Sequence, residues 1–501
     1  MKNTGNISSL QPIGYTKSNL RHSILGSYNM GIAYPLIWDS VKIGTTIHND
    51  IDSFARSGAL ADPSFLDCDI SIGHYFVPFN AIDPLYRSRC QTFKGQLYDA
   101  PLLNTPINKS ILLASSTQLN PSFVPGSLAD HLGFSVVAED TSSASAGYIS
   151  AAPFLAYHLI MDHFFTNSRL QDSMYTRKWI DANVPALGLT TPELGNGVFR
   201  DHQPLDQKPA WRDDDSDPIH NFFALRYVNY EPDYFTTARP TPGGADVAIP
   251  TTNIHALLDN MLIQKVADML NKGGYSYNDY VRVIYGITDI DSEVLDPVFL
   301  SGSSGPLQVS TVVNQTSDGL GDQGGMVTGN SGSSNGFTHT FTTDGIYMAL
   351  MFIRPKSYYT EGIQKQFREV SMSNTLIPEF SDLSNEPILI SELRGAPSYF
   401  ISDYAYHSSL SLGVFGYTDR YEQFRTRTNR VRGEMRTTRK GWYIAREFND
   451  VSITPNFISQ KNIVYSPWVV TSSDTDHFYI RSFMNYQRTQ LLPVVSRPYV
   501  W

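Results

Sequence analysis

Two apolar runs constrain the fold of this chain more than any other feature. Cys68 to Val77 alternates apolar with polar residues before an aromatic end, and Pro78 follows it. Gly345 to Ile353 is apolar on both faces and is closed by Pro355. Their modest length, their aromatic or β-branched residues and the prolines at their ends favour strands over helices. The sequence therefore predicts a strand-rich protein with at least one strand buried on both faces.

Helical patterns are fewer and lie between the strand signals. A first helix begins with Pro153 in its opening turn, and its apolar side is formed by Phe154, Tyr157, Met161, Phe164 and Phe165. A second is capped by Asn253 and ends at Gly273, and a third runs from Ser276 to Ile284. Many strands with three helices in the connections predict a β-sandwich or barrel that carries elaborate insertions.

The chain has no polar linker of the kind that separates independent cores, so residues 1–501 are predicted to form one elaborated domain. Its low-complexity tract, Gly302 to Gly336, is rich in glycine, serine and threonine and predicts a long mobile loop. Gly319 to Gly324 within it matches a dinucleotide-binding pattern. We expect no nucleotide there, because no strand precedes the motif and no helix follows it.

Other chemical signals are weak. Cys68 and Cys90 are predicted to be free thiols, and the polar start of the chain predicts neither secretion nor transit. No stretch reaches 18 consecutive apolar residues, so we expect no membrane span. His158 and His163 lie five positions apart on one predicted helix and cannot share a metal there. The acidic cluster Asp213 to Asp217 is predicted to be a solvated loop. We therefore expect no enzyme activity, no cofactor and no metal.

Charge is concentrated in one segment. The chain carries 38 basic and 48 acidic residues, a net charge of −10. The segment from Arg420 to Lys440 contains eight basic residues and two glutamates. This basic segment therefore carries +6 and the rest of the chain −16. Its arginines are interleaved with Tyr421, Phe424 and Trp442. Such a segment suits either nucleic-acid contact or a contact between subunits. The candidate contact residues are Arg425, Arg427, Arg430, Arg432, Arg436, Arg439 and Lys440.

Several collinear blocks together resemble one family, the major capsid protein of the Microviridae, small icosahedral single-stranded DNA phages, and in particular its gokushovirus type. The blocks are Tyr75-Phe76-Val77-Pro78, Pro153 to Tyr157, Asp233 to Pro240, Gly273 to Tyr277, Pro297 to Gly302, Phe415 to Tyr421 and Asp476-His477-Phe478 with Arg481. Two places depart from the family pattern. Ile43 to Ile47 replaces the turn Pro-Gly-Asp-Thr-Phe, and only Gly243 to Thr252 stands where relatives have a long insertion, so we predict that the threefold protrusion is missing or much reduced.

The resemblance implies an eight-stranded antiparallel jelly-roll barrel with long insertions, of which sixty copies close into a T=1 shell through pentamer intermediates. The shell would enclose circular single-stranded DNA, be assembled in the cytoplasm of the host bacterium, and contact a host cell-surface receptor with its outer loops. Further implied partners are an internal scaffolding protein, a minor or pilot capsid protein and a small basic DNA-binding peptide.

Charge arithmetic supports that peptide. Sixty copies at −10 carry −600, and sixty basic segments at +6 supply only 360 positive charges, too few to neutralise the phosphates of a packaged genome. Two other classes remain open from the residues alone. A stand-alone carbohydrate- or receptor-binding β-sandwich would share the fold, whereas a glycosidase would need two carboxylates facing each other across a groove.

Overall fold

The structure, a computed structural model, describes most of the barrel and parts of the insertions. The described residues are 14–61, 64–82, 125–134, 152–167, 224–240, 296–313, 323–330, 335–368, 375–382, 385–394, 413–444, 452–473 and 475–492, with the short segments 106–108, 113–115, 118–119, 148–150, 170–171, 282, 446 and 448.

Strands dominate this part of the chain. In chain order they are β1 (Tyr15–Asn19), β2 (His22–Tyr28), β3 (Tyr34–Val41), β4 (Thr46–Asn49), β5 (Ile51–Ser57), β6 (Cys68–Pro78), β7 (Pro106–Asn108), β8 (Leu113–Ser115), β9 (Gln118–Leu119), β10 (Tyr148–Ser150), β11 (Val298–Val313), β12 (Gln323–Asn330), β13 (Phe337–Thr340), β14 (Gly345–Pro355), β15 (Tyr358–Tyr359), β16 (Glu386–Leu389), β17 (Val414–Thr418), β18 (Asn429–Arg430), β19 (Phe478–Met484) and β20 (Gln487–Leu491). The α-helices are α1 (Phe79–Ile82), α2 (Leu128–His131), α3 (Ala152–Ile160), α4 (Ile390–Leu393) and α5 (Pro455–Ile458).

Eight strands form one antiparallel sheet in the order β2-β19-β5-β12-β11-β6-β14-β3. The hairpin of β11 and β12 joins two four-stranded halves, which we call the β19 half (β2, β19, β5, β12) and the β14 half (β11, β6, β14, β3). Along the chain, β2, β5, β12 and β19 fall in one half and β3, β6, β11 and β14 in the other. This alternation between two packed sheets is the jelly-roll connectivity, so the predicted fold class is confirmed.

The two apolar runs form the centre of the β14 half, as predicted. β14 pairs with β6 along its whole length and with β3 on its other side. All of its residues except Arg354 are buried, because the insertion after β6 covers the outer face while the barrel core covers the inner one. Gly345 is required at the start of β14, since an added Cβ atom would overlap the carbonyl oxygen of Val77.

The predicted helix at Pro153 is confirmed as α3, with Pro153 in its first turn. It packs against β6 and β14, and Tyr157 donates a hydrogen bond to the Ala33 carbonyl, 2.8 Å away. The prediction of one apolar side was wrong in detail. Nearly every residue of α3 is buried, and a π-turn over Met161–Phe165 breaks the helical period, so Phe164 is partly exposed. The helices predicted at Asn253 and Ser276 lie outside the described residues.

The prediction that Gly302 to Gly336 is a mobile loop was wrong. Most of the tract lies in β11 and β12. Leu307 and Val327 reach the core, and Leu307 lies across Gly329, where a Cβ atom would overlap its side chain. Small residues are therefore needed for the packing of this hairpin, and composition alone does not distinguish that need from flexibility. Residues 314–322 and 331–334 lie outside the described part.

Serine side chains of the same tract bond to neighbouring strands. The hydroxyls of Ser304 and Ser71 are 2.9 Å apart across the β11–β6 pair, and Ser303 accepts a hydrogen bond from the buried Asn335 at 3.2 Å. These bonds give the serines a structural use that a solvated loop would not provide.

A second sheet continues one end of the barrel, in the order β1-β20-β4-β13. The hydrophobic core of the barrel is accompanied by a smaller cluster in the insertions, built around Tyr234, Phe235, Tyr359, Ile388 and Phe415. Cys68 is a buried free thiol, as predicted. The Met30 sulfur lies 3.8 Å from the Cys68 sulfur. Burial, with the nearby carboxylates of Asp67 and Asp69, raises the pKa of the thiol. Cys90 lies outside the described residues.

Candidate intersubunit or nucleic-acid interface

The basic segment lies in the long insertion between β14 and β19, directly after β17. It consists of short 3₁₀ turns, Glu422–Phe424, Gly433–Arg436 and Lys440–Trp442, with the two-residue strand β18 between them. β18 pairs in parallel with β15, and the Val431 amide donates to the Tyr359 carbonyl at 3.1 Å. The segment is thus irregular backbone that is attached to the smaller hydrophobic cluster.

Buried residues at intervals hold the segment in place. Tyr421 and Val431 are buried, whereas most residues between them are partly or fully exposed. The Tyr421 backbone is left-handed, with φ of 67°, and its hydroxyl accepts a hydrogen bond from the Ile377 amide at 3.1 Å. The sequence places Tyr421 among the rings for stacking. Its burial excludes that role and makes it an anchor instead.

Two of the predicted arginines bind carbonyls of the backbone at 3.2 Å or less. Arg430 donates to the carbonyls of Gly362 at 3.0 Å and Glu361 at 3.2 Å, and Arg436 donates through Nε to the Val431 carbonyl at 2.7 Å. Burial lowers the pKa of Arg430, and the nearby Arg436 contributes in the same direction. Both guanidinium groups fix the backbone, and because carbonyls are neutral partners, neither positive charge is cancelled.

Arg430 is half-buried, whereas Arg436 and the other five predicted residues are exposed. Arg425 pairs with Glu422 at 3.3 Å, and Arg427 donates to the Gln366 side-chain oxygen at 3.4 Å. Arg439 lies over the Trp442 ring, 5.4 Å from its centroid. Arg432 and Lys440 form no ion pair with the described residues. The seven candidates therefore lie on one continuous stretch of surface, but only the exposed ones can contact a partner.

A polar cleft opens beside this segment, enclosing about 430 Å³ that is partly open to solvent. Gln423 is buried at its wall, and neither atom of its side-chain amide has a hydrogen-bond partner among the described residues. Glu392, also buried, accepts a hydrogen bond from the Tyr234 hydroxyl at 3.0 Å. The lining residues are Tyr234, Gln364, Lys365, Gln366, Glu392, Gln423, Thr426, Arg427, Thr428 and Arg430.

Sequence reasoning missed these wall residues. Lys365, Glu392 and Gln423 come from three separated segments, and none belongs to a motif that marks it. Lys365 and Glu386 form an ion pair at 3.0 Å, which links two of those segments. No local signal predicts such a grouping, because it is made by the packing of the insertion.

The remaining sequence candidates do not add a site. Within the described residues, no group of three or more His, Cys, Asp or Glu side chains is placed to hold a metal ion. His158 is buried in α3, whereas His163 is exposed on the π-turn. The acidic cluster at Asp213 and most of the glycine motif at Gly319 lie outside the described part.

Comparison with known proteins decides the family. A family model described as "Capsid protein (F protein)" matches residues 11–253 and 244–500, almost the whole chain. The chain belongs to this capsid protein family. It is also 23% identical over 492 residues to capsid protein VP1 of Bdellovibrio phage phiMH2K, covering 88% of this chain and 87% of that relative. It is 23% identical over 261 residues to capsid protein VP1 of Chlamydia phage 1, covering 50% of this chain and 43% of that relative.

The resemblance to Microviridae major capsid proteins is therefore confirmed, and the chain has a structural role in the capsid of a phage particle. The jelly-roll connectivity agrees with this role. None of the helices in the described residues is long and apolar enough to cross a membrane.

Proposed function

We propose that this capsid protein assembles with copies of itself into a closed T=1 icosahedral shell of sixty chains around a circular single-stranded DNA genome. The architecture supports the proposal, because two long insertions, after β6 and after β14, extend a complete jelly-roll barrel. A bare barrel offers limited contact area, whereas insertions of this length supply the large surfaces that permanent assemblies bury. The whole chain acts as one shell-forming unit, and its role is assembly rather than catalysis.

The basic segment is proposed to contact a neighbouring copy. It carries +6 while the rest of the chain carries −16, so another copy presents a surface of the opposite sign. Arginine next to a partly exposed aromatic ring, here Phe424, is typical of interface cores. Because Arg430 and Arg436 fix the backbone, the exposed guanidinium groups are held in position before the partner arrives.

The remaining partners follow from the family. Pentamers are the proposed intermediates, assisted by an internal scaffolding protein and joined by a minor or pilot capsid protein. A small basic peptide neutralises the DNA, outer loops contact a host cell-surface receptor, and assembly takes place in the cytoplasm of the host bacterium.

Electron microscopy and sedimentation of the purified chain, with and without the scaffolding protein, test the proposal. We expect uniform small closed shells. A chain that stays monomeric under every condition would contradict shell formation and would favour a stand-alone carbohydrate- or receptor-binding β-sandwich.

The basic segment is tested by replacing three exposed cations. We expect R427A/R432A/R439A to reduce the yield of shells at least tenfold, because three charges that attract the acidic neighbour are lost. Arg430 is left intact, since its loss would disturb the backbone. The matched control K17A/R21A/K42A removes the same charge from exposed positions outside the segment and should assemble at near wild-type yield. Equal yields from the two triple variants would exclude the proposed contact.

A further inference from the structure

The outer face of the β19 half is uncovered in the described structure. β5 and β19 alternate strictly between buried and exposed residues, yet several exposed positions are apolar. The exposed fractions are 79% for Leu25, 53% for Tyr479, 47% for Phe54 and 44% for Phe483. A row of large exposed apolar side chains on a sheet indicates a surface that a partner covers.

The strand register brings these residues into one patch, which we call the ring face. Tyr479 lies opposite Arg56, and Arg481 lies opposite Phe54 on one side and Leu25 on the other. Phe483 lies opposite Asp52. Rings and guanidinium groups thus alternate across neighbouring strands. The Arg56 guanidinium lies 5.4 Å from the centroid of the Phe54 ring.

The cations of the ring face are free to bind a partner. Neither Arg56 nor Arg481 forms an ion pair with the described residues, although the chain as a whole is acidic. Along β19 the order is ring, cation, ring, from Tyr479 through Arg481 to Phe483, with about 6.8 Å between successive exposed side chains. Asp52 is the acidic residue of this patch, so the charge balance of the patch is positive.

The β14 half shows the opposite arrangement. Its outer face is covered by α3 and by the π-turn, where Phe165 lies 5.2 Å from Phe352 and Phe164 lies 5.0 Å from Tyr75. The aromatic residues there are used within the chain. No described residue covers the aromatic side chains of the ring face in this way. The two outer faces of the barrel therefore differ in how their aromatic residues are used.

We propose that the ring face binds single-stranded DNA, with bases stacked on Phe54, Tyr479 and Phe483 and phosphates held by Arg56 and Arg481. The inference rests on the proposed function, in which the chain surrounds such a molecule. An open sheet that presents rings between unpaired arginines is a known platform for unpaired bases, because every base has a face that can stack. A duplex offers phosphates but hides its base faces, so it should bind less well.

Binding of a fluorescent thymidine 20-mer and of a duplex of equal length to the soluble chain tests the proposal. We expect the wild-type chain to prefer the single strand. F54A/F483A should weaken single-strand binding about tenfold or more through lost stacking, without changing its salt dependence. R56A/R481A should also weaken it and reduce the slope of log affinity against log salt by about 1.4, because each phosphate contact to a single strand contributes about 0.7.

The control is Y15A/F65A, which removes two aromatic residues that are exposed elsewhere and should bind as the wild-type chain does. Thermal unfolding of each variant shows that it is folded. Equal binding by wild type and ring-face variants would overturn the inference, and so would equal affinity for single strand and duplex. Variants that bind DNA normally but no longer form shells would show that the face contacts another copy. Ring-face-dependent binding by a chain that never forms shells would contradict the proposed function and leave this inference standing.

Discussion

At the scale of single residues, the barrel contains a buried polar network whose members depend on one another. Asn49 donates to the Tyr347 hydroxyl oxygen at 2.7 Å, and the same hydroxyl lies 2.8 Å from Nδ1 of His74. With its oxygen accepting from Asn49, the hydroxyl is free to donate to His74. That bond requires Nδ1 without a proton, and burial lowers the pKa of His74 to about 4. The folded protein therefore holds His74 in its neutral form.

This network predicts a loss of stability in acid. Between pH 6.5 and about 4 the unfolded chain binds a proton at His74 and the folded chain does not, so the free energy of unfolding falls as the pH falls. The difference from the ordinary pKa of 6.5 corresponds to about 3 kcal/mol. In H74Q the amide keeps a partner for Tyr347 but does not titrate.

Chemical denaturation at pH 7 and pH 4.5 measures the effect. We expect the wild-type chain to lose about 2 to 3 kcal/mol more than H74Q over this interval. Because burial also lowers the pKa of His131 to about 4, H74Q retains part of the acid sensitivity. Identical pH dependence of the two proteins would contradict a neutral His74.

At the scale of elements, one side chain replaces a missing strand beside β5. Within the described residues, β12 pairs with β5 from Phe54 to Arg56 and not at Ile51. Asn335, fully buried between β12 and β13, accepts from the Ile51 amide at 2.8 Å and donates to the Ile51 carbonyl at 2.7 Å. A side-chain amide thus satisfies a backbone donor and a backbone acceptor that would otherwise be buried without partners.

We expect N335A to destabilise the protein by about 2 to 4 kcal/mol, because both backbone groups of Ile51 lose their partners. The control N330A changes an exposed asparagine at the end of β12 and should cost less than about 0.5 kcal/mol. Denaturant unfolding of the two variants provides the comparison. An N335A loss no larger than that of N330A would show that water replaces the amide.

Some secondary-structure elements are predicted well from the sequence and others are not. The apolar runs that became β6 and β14 are predicted well, because a strand buried on both faces leaves a continuous apolar signature. The β11–β12 hairpin is not predicted from the sequence. Its glycines are needed for the packing of Leu307, and serines such as Ser304 form hydrogen bonds to a neighbouring strand. The same composition in isolation indicates a flexible loop. Likewise, the sequence cannot reveal the π-turn after α3, since tertiary packing sets it.

At the scale of the whole molecule, the charge balance limits what a shell of this protein can hold. With −10 on each copy, the shell cannot neutralise a polyanion inside it. We predict that the chain assembled with circular single-stranded DNA alone retains little DNA, and that a polyamine or a small basic peptide raises the amount severalfold.

The ratio of absorbance at 260 and 280 nm across purified shells measures the retained DNA. A neutral osmolyte at the same concentration is the control for crowding. Shells filled to the same level at low salt without any added cation would contradict the requirement for a basic partner.

Part of the candidate interface can be predicted from the sequence. The basic segment is visible in the sequence because charge clusters are local, and all seven candidates lie on one stretch. Their separate roles are not visible, because it is packing that aims Arg430 and Arg436 at carbonyls and buries Tyr421. The ring face escaped prediction because β5 and β19 are more than 400 positions apart.

The strand-rich class, the position of the central strands, the family and the location of the surplus positive charge could all be inferred from the residues alone. Each of these depends on the order of residues that are close in the sequence, or on their summed charge and composition. Three features became visible only in the folded protein. A glycine-rich tract forms a hairpin, one barrel face is covered by the described residues while the other is not, and some arginines form no ion pair within the described part of the chain. These depend on which distant strands become neighbours, and the register between them is set by packing of the complete core.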